Sequence, residues 1–222
     1  MFWHKLPHSD LFESLGEQLI FDKNASLPIG KNVYYLEEGL AALTMLTASG
    51  AEKVFMYFKE GNFFGYMRYV MPDERFAESY IPINLNSMVA KTLLRVRAIN
   101  HEEFFNVIES DPQLYKDFSI SLTQNLSNVL EHSYWIASED ASTRLCLMLI
   151  NFMEKKQEGH FMPRCFTYLE MGNFLSIHTV TIAKIVKSLV SMGVLERHGH
   201  SIKIIDLERL RQLAHKEISL AY

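Results

Sequence analysis

Thr167-Tyr-Leu-Glu-Met-Gly-Asn-Phe-Leu-Ser-Ile-His-Thr-Val-Thr-Ile-Ala-Lys-Ile-Val-Lys-Ser-Leu-Val-Ser-Met-Gly193 reads as two short helices separated by a break. Thr167 and Glu170 stand three apart, the spacing of a reciprocal capping box, which predicts a helix start at Thr167. Apolar Leu169, Phe174 and Leu175 group ahead of a break at Ser176-Ile177. In the second run Ile182, Ile185, Val186 and Leu189 recur at helical spacing and predict a buried face, with Thr179, Val180, Lys184 and Lys187 opposite. Gly193 supplies the stop. Short polar and methyl-bearing groups at the start of such a helix suit base edges in a major groove, and lysines further along suit phosphates.

Downstream, Val194-Leu195-Glu196 and Ile202-Lys203-Ile204-Ile205 flank Arg197-His198-Gly199-His200, which predicts a β-hairpin placed as a wing. His198 and His200 have metal-like spacing, but at a wing tip they and Arg197 read as phosphate-facing groups. Asp206 is the expected N-cap of a last helix with Leu207, Leu210, Leu213 and Ala214 inward. Charge divides in the same direction. Residues 164–222 hold eight Lys/Arg against five Asp/Glu, whereas the rest hold fourteen against twenty-one, within a net charge of -4. A basic end on an acidic body suits a module that meets a polyanion.

The 222 residues suit one large or two modest domains, and 48% apolar composition allows real cores. No apolar run reaches eighteen residues, and the first residues lack a basic segment followed by an apolar one, so the expected location is the cytoplasm, with no membrane partner. Cys146 and Cys165, nineteen residues apart, form neither a disulfide framework nor a metal-ligand spacing and are read as reduced thiols; the alternative is a redox pair, since Cys165 precedes the helix pair.

In the front half, Gly30, Gly39, Gly50, Gly61 and Gly65 punctuate short β-rich runs, Val33–Leu36, Leu43–Thr47 and Val54–Phe58, which indicates an antiparallel sandwich or barrel. Turns are expected at residues 48–51 and 59–62, and a third β-rich run at Val89–Ile99. A short helix starts at Asn100. Asp111-Pro112 then opens a helix to about Ala137, in which Tyr115, Phe118, Leu122, Asn125, Val129, His132 and Ile136 recur at alternating threes and fours. That stripe is the expected homodimer seam, with Asn125 helping to specify register. A further helix is expected from Ser138 to Lys155, with Leu145, Met148, Leu149 and Phe152 inward.

This order resembles the Crp/Fnr family of bacterial transcription regulators across essentially the whole chain. The matching stretches are Gly30 to Gly39, Ser49-Gly50-Ala-Glu52, Glu60-Gly61-Asn62-Phe63-Phe64-Gly65, Ala90-Lys-Thr92, Thr143-Arg144-Leu145 and Thr167 to Asp206. The resemblance implies an α+β fold: an effector-sensing antiparallel β-roll, jelly-roll-like, over residues 1–110, a dimerisation helix over 111–137, and a winged helix-turn-helix over 138–222. It implies a homodimer on palindromic double-stranded DNA, with half-sites about 34–36 Å apart, and RNA polymerase as a partner if the protein activates. By position, the family's base-reading residues fall on His178, Thr179, Val180 and Lys184, with Thr181 between them, where many members have Ser-Arg-Glu. Without that arginine the usual bidentate donor to guanine is missing, so a different half-site is expected, read through thymine methyl groups by Val180 and Thr179.

Family members that bind cyclic nucleotides place a glutamate after Phe-Gly and an arginine on the phosphate. Here Tyr66 follows Phe64-Gly65, and the arginine position falls on or near Asn84. A phosphate without its guanidinium partner is costly to bury, so cyclic AMP is not the expected effector. Two cysteines cannot supply the four ligands of an iron–sulfur cluster. A haem needs only one axial residue, and with nine histidines a haem- or redox-sensing regulator stays open, although His4, His8, His101 and His132 are read as surface or interface residues. The expected effector is a small molecule of unassigned identity, in a pocket of Tyr66, Arg68, Asn84 and Met88 facing Leu126, Val129 and Leu130 of the long helix. Two rivals remain. A cupin enzyme needs clustered histidine ligands, and residues 30–99 contain no histidine, so no enzyme activity and no metal site are expected. A constitutive DNA-binding dimer with a non-sensing roll makes the same sequence demands as the sensor.

Overall fold

The computed structural model describes residues 11–28 except 13, then 30, 32–47, 50–67, 86–198 and 201–220. They belong to two compact units that divide between Leu130 and Glu131.

In the first unit the strands β1 (Glu17–Phe21), β2 (Ser26–Leu27), β3 (Asn32–Glu38), β4 (Ala41–Leu46), β5 (Glu52–Phe58), β6 (Phe63–Phe64), β7 (Asn86–Ala90) and β8 (Leu94–Asn100) form two antiparallel sheets. Their orders are β1-β8-β3-β6 and β2-β7-β4-β5. The alternation of β3 explains how the layers stack, because both faces of this strand are buried. Tyr34 and Leu36 join Phe58, Phe64, Met88 and Val96 in one cluster, while Val33 and Tyr35 join Phe63, Phe104 and Phe118 in another. The second cluster is an aromatic layer, with Phe63 edge-on to Phe104 at 5.3 Å and to Phe118 at 6.2 Å.

The expected single run Val89–Ile99 is two strands in different sheets. Between them Lys91 N donates to the Leu40 carbonyl at 2.8 Å and Leu40 N donates to Thr92 Oγ1 at 2.9 Å, so the chain turns a corner from one sheet to the other. Gly39 lies against that corner at φ 101°, where a Cβ would come within 2.3 Å of the Leu93 carbonyl oxygen. Lys91 is buried there and pairs with Glu52 at 2.8 Å.

Helix α1 (His101–Ser110) is capped by Asn100, whose side chain accepts from Glu102 N. Helix α2 (Pro112–Ser138) starts where Asp111-Pro112 predicts, with Asp111 Oδ1 accepting from Gln113 N at 2.8 Å. Its faces differ from the expectation. The inward stripe is Leu114, Asp117, Phe118, Ser121, Asn125, Asn128, His132 and Trp135, all buried. Phe118, Asn125 and His132 therefore leave the expected dimer seam. Tyr115 at 58%, Leu126 at 59% and Val129 at 36% exposure lie outside. The exposed sequence with alternating fours and threes is thus Tyr115, Ser119, Leu122, Leu126, Val129, Ser133 and Ile136, with Leu122 and Ile136 half-buried.

In the second unit α3 (Ala141–Phe152) begins at Asp140, which accepts from Thr143 N, and is shorter than the predicted 138–155 helix. The remainder is a hairpin, β9 (Glu154–Lys156) and β10 (Gly159–Phe161). Every β9 side chain is exposed, so the strand carries none of the hydrophobic alternation that would reveal it. Helices α4 (Tyr168–Leu175) and α5 (Thr179–Ser191) follow, then β11 (Leu195–His198), β12 (Ser201–Ile204) and α6 (Leu207–Ala214), whose N-cap is Asp206 as expected. The wing and the extra hairpin make one sheet in the order β11-β12-β10-β9. No single helix among the described residues is long and apolar enough to cross a membrane.

Candidate nucleic-acid interface

Thr167 caps α4 by accepting Glu170 N at 3.2 Å. The helix ends after two turns because Ser176 turns left-handed, at φ 54°. Ile177 N then reaches back to the Gly172 carbonyl at 3.3 Å, and a Cβ on Gly172 would lie 2.6 Å from the Ile177 carbonyl oxygen. A larger residue at Gly172 would push the turn apart. Across it the helix axes bend by 109°, the geometry of a helix-turn-helix pair.

Behind α5, Ile182, Ile185, Val186 and Leu189 are buried, together with Met171, Phe174 and Leu175 of α4 and Leu145, Met148, Leu149 and Phe152 of α3. Of the apolar group Leu169, Phe174 and Leu175 ahead of the break, Leu169 is 63% exposed on the first turn of α4 and the other two are buried. On the solvent side of α5 stand His178, Thr179, Val180, Lys184 and Lys187, with Val180 at 66% exposure and Thr181 half-buried. His178 is the N-cap of α5 and makes no side-chain capping bond, while its carbonyl accepts from Thr181 N at 2.9 Å.

The wing pairs Leu195 with Ile204 and Arg197 with Ile202 in antiparallel register. Arg197 lies over the Tyr168 ring at 5.9 Å, bringing the wing strand to the first residue of α4. A cleft of about 400 Å³ opens beside them, lined among others by Arg164, Thr167, Tyr168, Arg197 and Ser201. Lys203 is 5.5 Å from the centre of the Phe161 ring on the same sheet. The turn residue His200 and the His198 side chain lie outside the described residues.

Of the expected effector pocket, the structure describes Tyr66, Met88, Leu126, Val129 and Leu130. Arg68 and Asn84 lie outside the described residues. Tyr66 and Met88 fall in different clusters: Met88 fills the space between the sheets, while Tyr66 stands in the aromatic layer, edge-on to Phe118 at 5.4 Å. The long-helix group at Tyr66 is Asn125, whose Nδ2 donates to the Tyr66 hydroxyl at 2.9 Å and to the Phe63 carbonyl at 3.4 Å. Leu126, Val129 and Leu130 are exposed, whereas Tyr66 is buried. Burial pushes the Tyr66 phenol above its ordinary pKa against the opposing effect of the Asn125 bond. One turn earlier Ser121 Oγ is buried without a hydrogen-bond partner, as is Asn125 Oδ1. Sequence reasoning had no signal for this polar pair, since the two residues lie 59 positions apart.

Cys146 is buried, and its thiol is pushed up to about 12 by burial and by the charge of Asp140, whereas Cys165 is half-buried. Such a thiol is chemically quiet. Among the described residues no group of three or more His, Cys, Asp or Glu could hold a metal ion.

Residues 143–213 match the Crp-like helix-turn-helix domain. Over 204 residues the chain is 22% identical to the cAMP-activated global transcriptional regulator CRP of Pasteurella multocida, covering 90% of this chain and 88% of that one. The CRP of Escherichia coli O157:H7 matches at the same identity and coverage. In fold the chain is similar to a Crp/Fnr-family transcriptional regulator of Thermus thermophilus, at TM-score 0.70 and 18% identity over 90% of this chain and 98% of that one. It is likewise similar to FixK2 of Bradyrhizobium japonicum, at TM-score 0.71 and 16% identity over 90% and 97%. These relatives are regulators rather than enzymes. Residues 143–213 thus carry a Crp-like helix-turn-helix domain, and with two sheets, a long helix and a winged helix-turn-helix in this order the chain is similar in sequence and fold to Crp/Fnr-type transcription regulators.

Proposed function

We propose that this regulator works as a ligand-responsive homodimer that places α5 of each copy in the major groove of a palindromic site. The observation that carries the reading is α5 itself, with four buried aliphatic side chains behind it and Thr179, Val180, Lys184 and Lys187 in solvent on the far side. Thr179 and Val180 sit in the first turn, where a recognition helix meets base edges, and Lys184 and Lys187 lie where it meets phosphates. His178 and Thr181 flank the base-reading pair, and Arg197, with His198 and His200 of the wing, serves the backbone. With no arginine on this turn, thymine methyl contact replaces the bidentate reading of guanine.

The second copy packs on the exposed seam from Tyr115 to Ile136, at Leu122, Leu126 and Val129. The domain scheme is a sensing roll, the α2 seam and the DNA-binding unit, and RNA polymerase is the further partner if the protein activates. The effector contacts the polar groups of the aromatic layer, Tyr66, Ser121 and Asn125, rather than a line of aliphatic side chains. Cyclic AMP is not that effector: Tyr66 occupies the position after Gly65 and its ring is buried among Phe118 and its neighbours, so it offers no carboxylate to a ribose. Appreciable calorimetric binding of cyclic AMP would overturn this part.

The test is selection of bound sequences from a random DNA pool, with and without small-molecule extract from cells. A palindrome recovered only with extract supports the whole reading. Recovery in both conditions leaves a constitutive dimer, and recovery in neither removes the DNA-binding assignment of α5.

A further inference from the structure

The carbonyl end of α4 is held from outside the helix-turn-helix. His132, on the last turns of α2, lies flat on the Phe174 ring with centroids 4.0 Å apart and planes 3° apart, and its Nε2 is 2.8 Å from the Phe174 carbonyl oxygen. A carbonyl has no proton to give, so Nε2 carries the hydrogen and donates. One residue on, Arg144 of α3 donates from Nη1 to the Leu175 carbonyl at 2.7 Å. Two donors from two different helices therefore satisfy consecutive carbonyls at the end of α4, groups that a helix leaves without internal partners. Both sit directly before Ser176, the left-handed residue at which the chain turns toward α5. Trp135, nearly perpendicular to His132 at 6.5 Å, backs the imidazole from its own helix.

His132 lies just past the division between the units, within the unit that contains the DNA-binding helices. Its helix is the same continuous α2 that carries the exposed seam.

We infer that His132, seconded by Arg144, is a positioning residue for the reading head: its hydrogen bond to the Phe174 carbonyl fixes the α4–α5 turn to the long helix and so sets where α5 meets DNA. The inference rests on the proposed DNA-binding function. It adds that the bond, not the bulk of the ring, carries the effect, and this separates it from simple core packing. A ring without a donor keeps the stack on Phe174 and Trp135. A donor without a ring keeps the bond and gives up the stack.

The experiment compares His132→Phe with His132→Gln in the full chain, reading both operator affinity and thermal melting. Phe fills the aromatic site, so its melting temperature should equal or exceed that of Gln, which leaves the stack unfilled. DNA affinity should rank the other way, with Gln within about twofold of the parent and Phe weaker by about tenfold, the order expected when the Phe174 carbonyl loses the His132 hydrogen bond. Affinities that follow the melting order, fall equally, or do not change would each overturn the inference. If one variant fails to fold, Arg144→Lys against Arg144→Met is read in the same way on the Leu175 carbonyl, the donor-keeping Lys being expected to bind DNA better. A parent protein that binds no DNA at all would refute the proposed function instead, so the two failures are distinct.

Discussion

Removing a methyl group from the DNA and a side chain from the protein should have the same consequence, and only once. Val180 is 66% exposed, so on the proposed function its two methyls would meet a thymine methyl in the groove. Burying one methyl-sized group is worth about 0.8 kcal/mol, which is about fourfold in affinity. For two half-sites the figure doubles, to about fifteenfold. Replacing the contacted thymine by deoxyuracil in both half-sites should weaken the parent by that factor while leaving every hydrogen-bonding edge of the base pair unchanged. Val180→Ala should bind the thymine operator with a similar loss and then be nearly indifferent to uracil. Fluorescence anisotropy on the four combinations gives the coupling directly. A Val180→Ala protein as sensitive to uracil as the parent would refute the assignment of Val180 to the methyl group, and an insensitive parent would refute methyl reading at that position altogether.

Leu126→Glu should give a monomer by light scattering at micromolar concentration, because a seam leucine buried against a second copy contributes about 1.5–3 kcal/mol per side and a charge there must be desolvated; Asn125→Ala, on the inner face, should leave the oligomeric state unchanged. Asp140→Ala removes the α3 N-cap and should cost about 1 kcal/mol in urea denaturation. Burial raises the Asp140 pKa, but hydrogen bonds from Ser142 and Thr143 outweigh it and hold the carboxyl below its ordinary value. The cap's ionised form is therefore stabilising above the unfolded pKa of about 3.9 and is lost as pH falls through the lower folded value, so the gap between parent and variant should narrow in acid. With its thiol pushed up to about 12, Cys146 should resist iodoacetamide at pH 8 while half-buried Cys165 reacts, and alkylation of both at one rate, seen by mass spectrometry, would contradict that burial.

The reading head was legible in the sequence because its signals are local. Thr167 and Asp206 cap helices through bonds only three residues long. Ile182, Ile185, Val186 and Leu189 are uniformly aliphatic on one face, and Thr179, Lys184 and Lys187 on the other are polar. The exposure of Leu169 has no mark in the sequence, because a leucine at helical spacing carries the same periodicity inside or outside. The β9–β10 hairpin was missed for the converse reason, since Glu154, Lys155 and Lys156 are all exposed and carry no alternation. In the roll, strand positions followed from glycine spacing, but the corner at Lys91-Thr92 depends on Leu40, more than fifty residues earlier in the chain.

On α2 two stripes lie one residue apart, and either fits alternating threes and fours. Phe118, Asn125 and His132 fill one and Ser119, Leu126 and Ser133 the other, each mixing apolar with polar groups, so hydrophobicity alone does not say which is inside. What decides is pairing at long range: Asn125 with Tyr66, and His132 with Phe174, bonds that span 59 and 42 residues. A buried amide or imidazole is costly unless a specific partner meets it, whereas a leucine accepts any apolar surface. The inner face of α2 therefore carries polar groups that need specific partners, Asn125 in the first unit and His132 in the second, and the outer face carries aliphatic Leu126 and Val129. Making position 125 or 132 aliphatic would remove that asymmetry. A helix with two apolar faces has less to hold its rotation against the unit it packs on.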